Sequence, residues 1–304
     1  MARRKTDPKV TIIGVPTNSS GNIDGVARGP SALRQARLIE ELANYLDVHD
    51  YGDVLFSQPV PEKSAYSGII AERSLVSMIY AVRTAVNSVL IENRFPLVIG
   101  GDCPLLLGCL AAARDRHHRI GMLFVDGHED AYTPDQSPTG EAADMELGLA
   151  LGREIVGLPP EIAGLIPMIK LANVAVLGPR DKKILQEASV YSLSDEVDFY
   201  DDKALRNENV EDLTRYVLSR LQEGTDGWWL HVDLDVLSTN SLPAVDYPQP
   251  GGLNWKQLEC VTTTALTTHH NIGWNVTIYN PDLDPERISA RRIVQYLVDV
   301  MSYQ

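Results

Sequence analysis

Residues 122–130 read Met122-Leu123-Phe124-Val125-Asp126-Gly127-His128-Glu129-Asp130. An apolar run breaks directly into acid, as a buried strand does when it ends at a polar site. The pattern recurs where Trp228-Trp229-Leu230-His231-Val232 runs into Asp233-Leu234-Asp235. Alternate side chains of a strand share a face, so Asp126, His128 and Asp130 converge where strand gives way to loop. Asp233 and Asp235 share a face by the same spacing. Carboxylates crowded in this way repel one another and are costly to desolvate unless a cation neutralises them. Carboxylate with imidazole suits a divalent first-row metal, and this many acids can hold two ions with a shared ligand. A single such motif reads as a solvated loop; two, each at a strand end, predict a metal centre.

Outward from these motifs, short apolar runs alternate with helical patterns. Val10-Thr11-Ile12-Ile13-Gly14-Val15 reads as a first strand, and a helix opens near Gly29-Pro30-Ser31, with proline in its first turn, and carries Leu33, Ala36, Leu38 and Leu42. Residues 71–93 form a long amphipathic stretch. Pro96-Leu97-Val98-Ile99 is the next strand, followed by Gly100-Gly101-Asp102-Cys103-Pro104 and an apolar helix over 105–113. A helical pattern over 142–151 follows the Asp130 loop. Val174-Ala175-Val176-Leu177 and Val190-Tyr191-Ser192-Leu193 read as strands around a short helix near Lys183. A helix over 210–221 precedes the Trp228 strand. Asn275-Val276-Thr277-Ile278-Tyr279 reads as the last strand and 288–301 as the closing helix. Alternating βα units predict an α/β fold of three α/β/α layers around a mostly parallel sheet, whose sites form at strand carboxyl ends. With no internal repeat, low-complexity tract or linker, residues 1–304 read as a single domain.

The chain's 304 residues, 44% of them hydrophobic, suffice for a substantial core. A net charge of -14 argues against nucleic acid or an anionic membrane as partner. No apolar h-region follows Arg3-Arg4-Lys5, and no run is expected to approach the ~18 apolar residues of a membrane span. Three cysteines, Cys103, Cys109 and Cys260, make no disulfide framework. They fit a reducing compartment, so a cytoplasmic setting is expected; a homo-oligomer is an open possibility. His117-His118 and His269-His270 read as surface histidines, Trp228-Trp229 as core, and Cys109 and Cys260 as packing. His231 lies two residues before Asp233, on the same face, where it can hydrogen-bond a ligand.

Gly100-Gly101-Asp102 after a strand, Asp126-Gly127-His128-Glu129-Asp130 and Asp233-Leu234-Asp235 stand in the order and with the spacing of the ureohydrolase family, which includes arginase and agmatinase. The chain resembles that family from about Ile12 onward, with support from Gly29-Pro30, Pro250-Gly251-Gly252-Leu253 and Asn280-Pro281. The resemblance implies an arginase-like domain with a sheet of about eight strands. It also implies two divalent ions, Mn²⁺ in the family, bridging a water that attacks the guanidinium carbon as hydroxide. Carried over by position, Asp126 and Asp233 would each bridge both ions. Asp130 would hold the first ion, and His128 and Asp235 the second. The family's remaining ligand, a histidine directly after Gly-Gly-Asp, falls on Cys103, and thiolate favours Zn²⁺ or Fe²⁺ over Mn²⁺.

Other departures bear on substrate. Tyr132 stands where arginase has an asparagine that helps hold the α-carboxylate, while Ser137 and Thr139 keep hydroxyls. Lys183 replaces the acid that faces the α-amino group. The family's proton-shuttling histidine falls on Ala143, and the glutamate that grips the guanidinium falls on Ile278. A buried guanidinium still needs an acceptor. Among the acids of Gly140-Glu141-Ala142-Ala143-Asp144-Met145-Glu146, Glu141, Asp144 or both are expected to replace it and, with Asp130, to serve catalysis; helix capping is the competing role for either. Tyr132, Ser137, Thr139 and Lys183 are the expected substrate contacts. The reading is a metal-dependent amidinohydrolase that releases urea from an arginine-like substrate. Peptidyl arginine, an agmatine-like amine and N-hydroxyarginine are open alternatives, as is a non-catalytic metal-binding member of the family.

Overall fold

In the computed structural model, which describes residues 8–153 and 156–302, eight strands follow one another along the chain. They are β1 (Lys9–Val15), β2 (Asp47–Asp53), β3 (Phe95–Gly100), β4 (Ile120–Val125), β5 (Val174–Leu177), β6 (Asp198–Tyr200), β7 (Gly227–Asp233) and β8 (Asn271–Thr277). They form one sheet in the order β2-β1-β3-β8-β7-β4-β5-β6, and every paired neighbour is parallel.

A parallel sheet is covered on both faces, so its inner strands are predominantly apolar. Alternation then sends neighbours into opposite cores. Ile12, Leu97, Leu123 and Leu230 enter one, while Ile13, Val98, Phe124 and Trp229 enter the other. On the second face lie the helices Glu72–Ile91, Leu105–Arg114 and Glu146–Leu151; on the first lie Val210–Gly224, Trp255–Leu266 and Ile288–Met301. Because β3, β8, β7 and β4 are adjacent and parallel, their carboxyl ends bring Cys103, Ile278, Asp233 and Asp126 to one edge.

Several expectations are corrected. The apolar stretch 190–193 is not a strand. The buried Glu129 carboxylate accepts from Ser192 Oγ and from Leu193 N, each at 2.6 Å, and so takes a backbone donor that pairing would need; β6 forms later, at Asp198–Tyr200. The polar strand β2 carries no hydrophobic signal, since it is an edge paired only to β1. The first helix breaks at Arg37, whose φ is 72°, into Gly29–Gln35 and Leu38–Leu42. The last strand stops at Thr277, because Ile278 turns to φ 74°. Glu72–Ile91 is long and apolar enough to cross a membrane by length and composition, contrary to the expectation from the sequence. It packs instead on the second core through Leu75, Met78, Ile79, Val82, Val86 and Val89.

Candidate metal centre

Asp126 leaves β4 on the face shared with Met122 and Phe124, and Asp233 leaves β7 on the face of Trp229 and His231. Asp126, Asp130, Asp233 and Asp235 are all buried, as is Cys103. His128 Nδ1 lies 2.8 Å from Asp235 Oδ2 and 3.7 Å from Asp126 Oδ1. The loop after β4 is tightened by its own acids: His128 N donates to Asp126 Oδ1 at 2.8 Å and Gly127 N to Asp235 Oδ1 at 2.9 Å. Cys103 Sγ lies 2.6 Å from Asp233 Oδ2 and 3.1 Å from Thr277 Oγ1. Gly101 makes that approach possible, since a Cβ there would sit 1.8 Å from the Thr17 carbonyl oxygen.

The structure brings together the six residues that the sequence offers as candidate ligands. Ligand atoms lie within 4.8 Å of one another in three overlapping groups among the described residues. They are Asp126 with His128 and Asp130; Asp126 with Asp233 and Asp235; and Cys103 with Asp126, Glu146 and His231. Asp126 belongs to all three. Within the site, Asp126 Oδ2 and both Glu146 oxygens find no hydrogen-bond partner among the described residues. Buried acids without donors are what a bound cation satisfies, so these residues fit a divalent metal.

Electrostatics agree. Burial, reinforced by neighbouring acids, pushes Asp130, Asp233 and Glu146 well above the usual carboxyl range, and burial with Asp233 does the same to the Cys103 thiol. Burial also acts to raise Asp126, but its contacts with His128 and His231 outweigh it and hold that carboxyl low. Asp235 and the other acids outweigh burial at His128 and push it well up.

Behind Asp126 runs a relay that the spacing of His231 only hinted at. Trp229 Nε1 donates to Asn275 Oδ1 at 2.7 Å, and Asn275 Nδ2 lies 2.7 Å from His231 Nδ1. Indole is a donor only, so it claims the amide oxygen and leaves the amide N–H for Nδ1. Nδ1 must accept, and in the neutral ring the proton sits on Nε2, which faces Asp126 Oδ2 at 3.5 Å. Phe124 stacks on the imidazole at 4.6 Å and fixes its plane.

Above the centre opens a cavity of about 320 Å³. Cys103, His128, Asp130, Asp233 and Asp235 form its metal-facing part, and Tyr132, Thr139, Glu141, Asp144, Asp181, Tyr247 and Ile278 are among its other lining residues. No lysine or arginine lines it among the described residues. Ser137 does not line it: Ser137 Oγ and Thr139 Oγ1 both donate to Asp144 Oδ2, at 2.8 and 2.7 Å, and so hold that acid in place. Lys183 is likewise removed from the substrate contacts. Its side chain is 84% exposed and reaches toward Glu187 at 3.6 Å, because the helix Lys182–Glu187 turns Asp181 and Ile184 to the cavity instead. Glu141 Oε2 accepts from Tyr247 Oη at 3.0 Å. Sequence reasoning missed Asp181, Tyr247, Thr277 and Glu146 as site residues. Only Glu146 left a signal, an acid opening the apolar run Leu147-Gly148-Leu149-Ala150-Leu151.

A family model described as the arginase family matches residues 8–302. The arginase of Bacillus caldovelox is 33% identical over 292 residues, covering 92% of this chain and 94% of the relative. The arginase of Bacillus subtilis is 29% identical over 307 residues, covering 97% and 98%. The solved structure of the Bacillus caldovelox arginase superposes with a TM-score of 0.81 at 28% identity, covering 97% of this chain and 98% of that one.

Proposed function

We infer the function from one premise: this chain belongs to the arginase family. It is a hydrolase of amidine C–N bonds, metal-dependent and directed at a guanidino group. The substrate we propose is an arginine side chain within a peptide, cleaved to ornithine and urea. One observation carries this reading: beyond the metal-facing residues the cavity is lined by acids, neutral polar groups and apolar groups, with no lysine or arginine among the described residues to receive a free α-carboxylate. The exposed Ile184 and Tyr247 at its lining suit a peptide lying across the opening better than a small soluble amine.

In this reading Cys103, Asp126, Asp130 and Asp233 would hold one divalent ion, and His128 and Asp235, together with Asp126 and Asp233, would hold the other. Two divalent ions held there, Mn²⁺ in the family pattern, would supply a hydroxide nucleophile near neutral pH and offset the carboxylate charge. The protein's own groups do the rest. Asp144, fixed by Ser137 and Thr139, accepts guanidinium N–H bonds together with Glu141 and Asp181, the part a glutamate at the Ile278 position would otherwise play. Tyr132 and Ile278 close the walls and exclude water. As the C–N bond breaks, Asp130 takes the proton of the newly attached hydroxyl and passes it to the departing side-chain nitrogen, so that the products are urea and a neutral amine.

A urea-release assay with Mn²⁺ across arginine, agmatine, guanidinobutyrate, N-hydroxyarginine and arginine-containing peptides tests the proposal. Peptides should give the highest kcat/KM. Preference for free arginine would refute the substrate assignment, and no urea from any of them would favour a non-catalytic member.

A further inference from the structure

Below the cavity floor the chain buries an acid that neither the six expected ligands nor the substrate contacts use. Glu146 is fully buried, and neither of its oxygens has a hydrogen-bond partner among the described residues. Its position is built, not incidental. It opens the helix Glu146–Leu151, whose next two amides, Leu147 N and Gly148 N, donate to the Asp130 carbonyl at 3.0 and 3.2 Å. Leu147, Leu149 and Ala150 seat the helix in the second core. The side chain is thereby aimed at Cys103 and Asp126, and ligand atoms of these three and of His231 lie within 4.8 Å of one another. Ligands at ~2.0–2.3 Å from a tetrahedral ion stand roughly 3.3–3.8 Å apart, so a shift of about an ångström at most brings Cys103, Asp126 and Glu146 to one ion.

A buried carboxylate without a donor is unfavourable, and the Asp126 carboxylate beside it adds like-charge repulsion. A cation satisfies both oxygens. His231 cannot be the companion ligand, since the Trp229–Asn275 relay keeps its Nε2 protonated.

We propose that Glu146 is a ligand of the ion shared by Cys103 and Asp126, and that this position takes a borderline-soft divalent ion of the Zn²⁺ or Fe²⁺ class. The inference rests on the two-ion reading above and adds a residue to it. Thiolate selects the softer ion, while the position of His128 and Asp235, with carboxylates and imidazole but no thiolate, keeps the harder preference. The two ions are therefore chemically different.

The test is a titration of the metal-free full chain with Co²⁺, followed by absorbance, with elemental analysis after loading with Zn²⁺ and Mn²⁺. The wild type should bind two ions, one giving a thiolate-to-cobalt charge-transfer band that Cys103→Ala abolishes. Glu146→Gln should weaken the ion that gives this band by at least about tenfold, no less than the loss of an outer-shell partner would, and leave the other in place. The metal-free Glu146→Gln protein should melt higher than the metal-free wild type and gain less from metal, which a packing role would not produce. Glu146→Asp keeps the charge, withdraws it by a methylene and should show the same weakened binding if the amide does not fold. Two ions in the wild type with unchanged binding in both variants would overturn the role of Glu146 alone. A wild type that binds no divalent ion would instead overturn the two-ion reading.

Discussion

The Ile278 amide donates to the Gly101 carbonyl at 2.7 Å and thereby joins the ends of β8 and β3 across the cavity floor. That bond accompanies a β-branched residue at φ 74°, a conformation that is costly for isoleucine. Gly101 is held from the other side, where its amide donates to Val15 at 2.9 Å and its missing Cβ leaves room for Thr17. Cys103 follows two residues on, so its thiol is placed by this clamp.

Gly101→Ala tests the clamp. Its methyl would overlap the Thr17 carbonyl, a backbone atom that cannot swing aside. A destabilisation of about 1–3 kcal/mol is expected, as for other overpacked sites, with loss of Co²⁺–thiolate absorbance. An unchanged melting temperature would show that the loop relaxes freely.

Asp126 is common to the three candidate ligand groups, whereas Asp233 belongs to one of them and contacts Cys103. Asp126→Ala should therefore remove both ions, and so should Asp233→Ala if it bridges. Elemental analysis that finds full metal content in either variant would remove that residue from the bridging role.

Asp144 carries two hydroxyl donors on Oδ2, while its Oδ1 has no partner among the described residues. Asp144→Asn keeps the shape and removes the charge offered to a guanidinium. A hydrogen bond to a charged group is worth about 1.5–3 kcal/mol, so kcat/KM should fall by roughly tenfold to a hundredfold with metal content intact. Wild-type turnover in this variant would shift the role to Glu141 or Asp181.

Burial raises Asp181 to about 6, and Glu129 N donates to its Oδ2 at 3.1 Å. The folded value lies above the unfolded one, so folding favours the protonated acid. Its contribution to stability is full below the unfolded value, at about pH 4, and is lost as pH rises through about 6. Asp181→Asn should thus raise the melting temperature at pH 8 and change it little near pH 4. If the acid also grips substrate, wild-type KM should climb as pH falls through about 6 and the variant should lose that limb. A stability difference independent of pH would refute the assignment.

The fold class and most of the candidate ligand cluster were legible in the chain because both are written at short range. A buried strand is a run of apolar residues, and the spacing of Asp126, His128 and Asp130 turns them together whatever lies around them. The same locality explains the misreadings. Val190-Tyr191-Ser192-Leu193 looks like a strand until the Glu129 carboxylate, 63 residues from Ser192 in sequence, takes the Leu193 amide. β2 is a strand only because β1 pairs with it.

The sequence by itself determined which strands end in acid and that acids so crowded call for a cation. Only the tertiary structure decided which side chains meet. It turned Lys183 outward, set Ser137 and Thr139 to hold Asp144, ran the Trp229–Asn275–His231 relay behind Asp126, and drove Glu146 beneath the cavity floor. The physical reason is that a strand dictates the direction of its own side chains, whereas burial and partner depend on elements that arrive from elsewhere in the chain.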